Sequence, residues 1–113
     1  MMIEDISKDG MFESIDAFAD AMKHEYNANL HKPGRDQWIT WDPRLLINDA
    51  LYHAAKMSLA MKEGRDEKVQ EYAADTANIM LMALEAFKSQ RLQVKSGLPA
   101  SVLERYQITE ILS

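Results

Sequence analysis

Cysteine is absent from this 113-residue chain. Disulfides, thiolate nucleophiles and thiolate zinc sites are therefore excluded together. A chain without thiols suits a reducing compartment, and the cytoplasm is the expected location. Glycine and proline are scarce, at 4 and 3 residues. The glycines are scattered and none precedes a helix in the spacing of a phosphate-cradling loop. Long apolar runs are also missing: none approaches the roughly 18 residues that a membrane span requires. The opening Met1-Met2-Ile3-Glu4-Asp5 has neither a basic nor an apolar stretch, so no signal peptide is expected. Lys and Arg number 13 against 18 Asp and Glu, a net charge of -5, and form no basic stripe. That balance disfavours sequence-independent binding to nucleic acid or to anionic lipid.

What the chain does contain is helical periodicity. Its length suits one domain spanning 1–113, with a core large enough to fold without staples. Residues 1–10 read as a loose arm closing on Asp9-Gly10. A first helix is expected over 12–29, where Phe12, Ile15, Phe18, Ala19, Met22 and Tyr26 recur at i, i+3, i+4, i+7. Asp16 and Asp20 lie one turn apart on it, among other charges, and read as a solvated face. Residues 30–42 read as a loop opened by Pro33-Gly34, and Pro43 after Asp42 is a favoured helix entry. The loop carries both tryptophans, Trp38 and Trp41. They plug the end of a small helical core, or one of them joins Lys32 and Arg35 in a cationic-aromatic wall for a phosphorylated base or sugar.

A second helix is expected over 43–62, with Leu46, Ile47, Ala50, Leu51, Ala54, Met57 and Met61 on its apolar side. Gly64 ends it, and Asp66 is the expected N-cap of a third helix over 67–91. There Tyr72, Ala73, Thr76, Ile79, Met80, Ala83 and Phe87 form the stripe expected to be buried. Each of these helices has a polar flank: Asp49, His53 and Lys56 on the first, Glu71, Asp75 and Asn78 on the second. The short connection makes an antiparallel hairpin, in which both flanks build one polar patch. Beyond Gly97-Leu98-Pro99 a short last helix is expected to about Tyr106, and 95–113 is expected to dock on the body or on a neighbouring subunit.

Four pieces of this chain, taken in order, resemble the MazG-like all-α nucleoside triphosphate pyrophosphohydrolases of bacteria and phages. They are Ala17–Met22, His31-Lys32-Pro33-Gly34 with Trp38 and Trp41, Gly64-Arg65-Asp66, and Tyr72-Ala73-Ala74-Asp75-Thr76-Ala77-Asn78. The likeness covers about 12–87. It implies an all-α bundle of three main helices plus the short C-terminal one, completed by pairing of subunits into a homodimer or a larger homo-oligomer. It also implies hydrolysis of an α–β phosphoanhydride with Mg²⁺ held by four acidic ligands, a Glu-Glu-x-x-Glu set on one helix and a Glu and an Asp three apart on the next. Aligned from Gly64, the first set reads Tyr52-His53-Ala54-Ala55-Lys56, and the second Glu becomes Tyr72. Between Pro43 and Lys62 the only carboxylate is Asp49, so no register supplies the missing glutamates.

Three readings of the patch stay open. In the first the chain is a catalytically degenerate relative, a pseudoenzyme that binds a nucleotide or another phosphorylated ligand with no cofactor. Lys56, Lys32 and Arg35 would neutralise phosphates, and Tyr52, Tyr72 or Trp38 would stack on a base. His53, Asp75 and Asn78 would complete the ligand set. In the second the metal site is rebuilt from the i, i+4 pairs Asp49–His53 and Glu71–Asp75, suited to Mg²⁺, Mn²⁺ or Zn²⁺, and hydrolysis survives. In the third Lys56 pairs with Asp75 or Glu71, His53 is an ordinary half-buried residue, and the protein is a helical oligomer acting through its surface. Eight methionines would suit adaptable packing in that case.

Overall fold

The computed structural model describes residues 7–97. They form four helices and no strand: α1 (Met11–Ala28), α2 (Arg35–Trp38), α3 (Pro43–Lys62) and α4 (Asp66–Ser96). The short helix expected from Pro99, the docking of 98–113 and the first six residues of the arm lie outside the described residues. No helix among the described residues is long and apolar enough to cross a membrane.

Local chemistry accounts for the boundaries. At the start of α1, Ser7 Oγ accepts from the Phe12 amide at 2.8 Å and Asp9 Oδ1 from the Met11 amide at 3.0 Å. These side chains satisfy first-turn donors that the helix itself leaves unbonded. Asp42 caps α3 by accepting from the Arg44 amide at 2.9 Å, with Pro43 in the first turn as expected. Gly64 turns the hairpin at φ 71, a left-handed conformation that glycine takes without steric cost.

Three expectations need correction. Residues 30–42 are not loop throughout: Gly34 O accepts from the Gln37 and Trp38 amides, closing the single turn of α2. Asp66 does not cap α4 but is its first helical residue, and the cap position belongs to Arg65, which makes no side-chain capping bond. The helix also runs past Arg91 to Ser96, where Gly97 at φ 72 stops it.

α3 and α4 pack antiparallel, as three contacts in descending register show: Leu46 with Ala83 and Ala86, His53 with Asp75, and Lys56 with Tyr72. The core between them is built largely of small residues. Leu46 is buried against Ala83 and Ala86, with Ile79 and Met82 packed alongside, and Ala50 and Ala60 of α3 are buried too; Ala74 is buried on the side of α4 that borders the groove with α1, and Leu92 further along α4. Alanine lets two helix backbones approach closely, so the small stripe faces inward. Much of the expected apolar stripe stays outside: Ile47, Leu51 and Met61 on α3, and Met80 and Phe87 on α4, are exposed. α1 buries no residue fully, and its expected core members Phe12 and Ile15 are exposed.

Two polar ties position the remaining parts. Asn78 Nδ2 on α4 donates to Met22 O of α1 at 2.9 Å. Gln90 Nε2 donates to Ile39 O at 3.2 Å and to Trp41 O at 2.8 Å, holding the α2–α3 connection against α4.

Leu46→Ala should cost about 2–4 kcal/mol in urea unfolding, since the alanines around it cannot close the cavity. Leu45→Ala, 65 % exposed in the next position, should change stability by no more than about 0.5 kcal/mol. Equal effects at the two positions would mean that α3 does not face α4 as described.

Candidate functional site

A cavity of about 180 Å³ opens where the end of α1, the connection before α2, α3 and the middle of α4 meet. Tyr26, Leu30, Trp41, Ile79 and Met82 give it an apolar wall. Its polar lining comes from Lys32, Asp49, His53, Asp75 and Asn78, which the antiparallel register and the Gln90 tie bring to one place.

His53 is central to that lining. Its side chain is 16 % exposed, with Nε2 3.8 Å from Asp49 Oδ1 and Nδ1 3.9 Å from Asp75 Oδ2. Both separations are too long for a hydrogen bond. Nδ1 is buried and makes no hydrogen bond. An unsatisfied buried polar atom costs about 1–3 kcal/mol.

Behind Asp75 stands a second arrangement. Carboxylate oxygens of Glu25, Glu71 and Asp75 lie within 4.8 Å of one another. Burial pushes the Glu25 carboxyl above its ordinary value of 4.5, and the charges of Asp75 and Glu71 push it the same way. A hydrogen bond to Asp75 adds to the rise, while one from Asn29 opposes it. Lys68 Nζ holds Glu71 Oε2 at 2.8 Å. Glu25 and Glu71 also line an acidic groove of about 780 Å³ between α1 and the start of α4, with Asp20, Asp66 and Glu67. The three carboxylates thus stand in the wall between groove and cavity, with Asp75 on the cavity side. Their hard oxygens fit Mg²⁺ or Mn²⁺.

The sequence-level candidates divide accordingly. Lys32, His53, Asp75 and Asn78 line the cavity, although Asn78 also spends its amide on Met22 O. Trp38 is buried, donates Nε1 to Tyr26 Oη at 3.2 Å and carries Arg35 over its ring at 5.2 Å. It is the core plug, and Trp41 is the tryptophan at the cavity. Lys56 Nζ sits between two rings, 5.3 Å from the centroid of Tyr52 and 4.7 Å from that of Tyr72. These three residues form a cation–π clip across the hairpin, apart from the cavity lining. Of the alternative metal set, Glu71 and Asp75 converge, but with Glu25; Asp49 and His53 lie on the cavity side of Asp75.

Glu25 is the residue that sequence reasoning missed. Its place beside Tyr26, on the flank of the apolar stripe of α1, marks it as a boundary residue, but only the packing of α1 on α4 brings it to Glu71 and Asp75. Comparisons with protein-family models, with curated proteins and with solved structures find no match.

Glu25 gives the site a pH signature. Its raised pKa means that folding takes up a proton there, so its contribution is complete below the ordinary value of 4.5 and is lost as pH rises through the raised value. Glu25→Gln should therefore raise the melting temperature at neutral pH, with the gain vanishing below about pH 4. A shift of the same size at every pH would show that carboxylate repulsion is not its cause.

Proposed function

We propose that this protein binds a small phosphorylated ligand of the nucleotide class, as a MazG-like helical protein that has lost the family's glutamate set. The observation that carries the reading is the cavity itself. It gathers Lys32, Trp41, His53 and Asp75 from separate parts of the chain. Its volume of about 180 Å³ lies below the ~300 Å³ where sites for whole drug-sized ligands begin. It suits a single ring, with the rest of the ligand outside. The face of Trp41 offers stacking, the His53 and Asp75 edge offers hydrogen bonds, and exposed Lys32 meets a phosphate at the mouth. Lys56, held by Tyr52 and Tyr72, takes no part in phosphate binding. The all-helical order and the hairpin turn at Gly64 support the MazG-like reading, which brings with it an expected homodimer.

A second reading, metal-dependent pyrophosphohydrolysis, is favoured by one observation: the meeting of Glu25, Glu71 and Asp75 beside the cavity. A divalent ion there would neutralise phosphate oxygens and activate water. This chain's own part would be to bind the ion through these carboxylates and to seat the ring against Trp41.

Thermal shift and calorimetry with nucleoside mono- and triphosphates separate the two readings. For the binding reading, the melt should rise in the presence of chelator. Trp41→Ala and His53→Ala should each weaken binding about tenfold or more, worth ~1.4 kcal/mol, while Lys56→Ala leaves affinity unchanged. For the enzyme reading, monophosphate and pyrophosphate should appear only with Mg²⁺ or Mn²⁺ and disappear in Asp75→Asn and in Glu25→Gln. No response to any nucleotide, with or without metal, overturns both.

A further inference from the structure

We infer that the cavity selects ligands whose ring carries an amino group, so that it takes cytosine nucleotides in preference to uracil or thymine nucleotides. The inference rests on the nucleotide-binding reading and concerns the ring end of the site, away from the phosphate.

Its ground is what the lining still has to donate and to accept. Asp49 and Asp75 line the cavity as carboxylates, which only accept. Asn29, also in the lining, has committed its amide nitrogen to Glu25 O at 2.9 Å and to Glu25 Oε1 at 3.3 Å. Both of its N–H groups are then spent, and its side chain has only the carbonyl oxygen left to offer. Asn78 likewise gives an N–H to Met22 O at 2.9 Å, and Tyr26 Oη is engaged by Trp38 Nε1 at 3.2 Å. Against these acceptors stand His53 and, at the mouth, exposed Lys32. The lining is rich in acceptors and short of donors. A ring seated there has to bring the N–H groups itself.

The pyrimidines answer that demand differently. With the sugar on N1, cytosine presents an amine with two N–H groups beside an acceptor nitrogen. Uracil and thymine present a single N–H between two carbonyls. Asp75 and Asn78 stand three positions apart on α4, neighbours on one face, and can share the two hydrogens of an amine. His53 reaches the same place from α3, its Nδ1 3.9 Å from Asp75 Oδ2, and its ring N–H suits the acceptor nitrogen next to the amine. A uracil carbonyl in the position of the amine would meet Asp75 oxygen to oxygen. It would also leave a carboxylate that is only 18 % exposed without a donor. Purine amines would meet the same acceptors, but a cavity of about 180 Å³ suits one ring.

Calorimetry of the full chain in chelator, with the 5′-monophosphates of cytidine and uridine, compares two ligands equal in size, sugar and phosphate. Cytidine monophosphate should bind about tenfold tighter or more, the order that a hydrogen bond to a charged group supplies. The 2-pyrimidinone ribonucleotide keeps the acceptor nitrogen but lacks the amine, and should fall to the uridine level. Asp75→Asn exchanges an acceptor for a group that also donates. It should weaken the cytidine nucleotide more than the uridine one and so narrow their ratio. Lys32→Ala should weaken both by one factor and keep the ratio. Equal affinity of the wild type for the two monophosphates, undiminished binding of the 2-pyrimidinone nucleotide, or an equal loss of both ligands in Asp75→Asn would each overturn the inference and leave the nucleotide reading standing. Binding of neither monophosphate would overturn both.

Discussion

The close contact of α3 with α4 is the constraint on which everything else in this chain depends. Leu46 against Ala83 and Ala86 sets the spacing and the register of the hairpin. With that register fixed, His53 has to meet Asp75, and Lys56 has to lie between Tyr52 and Tyr72. A large residue at Ala83 or Ala86 would push the helices apart and undo both meetings at once, because packed interiors adjust poorly to added volume. The same choice of small residues has a second consequence. A hairpin that closes on alanine cannot also enclose its large apolar side chains, and these remain on the outer faces.

Electrostatics sorts the polar residues into three groups. The cation of Lys56 is held by aromatic faces, which compensate it without a carboxylate. His53 lies between Asp49 and Asp75 without bonding to either, its Nδ1 buried and unbonded. Glu25, Glu71 and Asp75 crowd together, and the first responds by holding its proton more tightly. Asp75 belongs to both of the latter groups, so a single side chain joins the cavity lining to the carboxylate cluster.

The proposed likeness to MazG-like hydrolases looks different once these groups are separated. On the sequence alone Lys56 stands in a metal-ligand position and argues against any divalent ion. In the folded chain its ammonium lies in the Tyr52–Tyr72 clip, and the carboxylates converge instead around Glu25 from α1. On the proposed MazG-like reading, the lack of glutamates on α3 therefore still leaves acidic residues nearby, on the α1–α4 side of Asp75.

Much of the architecture was legible in the residues. Apolar periodicity marks three long helices, Asp42-Pro43 announces one entry, and Gly64 forces one turn, because each of these effects acts within a few residues of chain. The antiparallel hairpin that brings His53 to Asp75 was legible too, but the single polar patch expected from both flanks is not formed: Lys56 lies in the tyrosine clip and Glu71 turns to Glu25. What the residues could not disclose was which apolar stripe turns inward, which tryptophan meets the cavity, and that Glu25 joins Glu71 and Asp75. Those outcomes depend on how closely two helices approach and how a third lies across them, distances set by side chains far apart in the chain. Local sequence determined the helices; only packing decided which of their faces became core, site and surface.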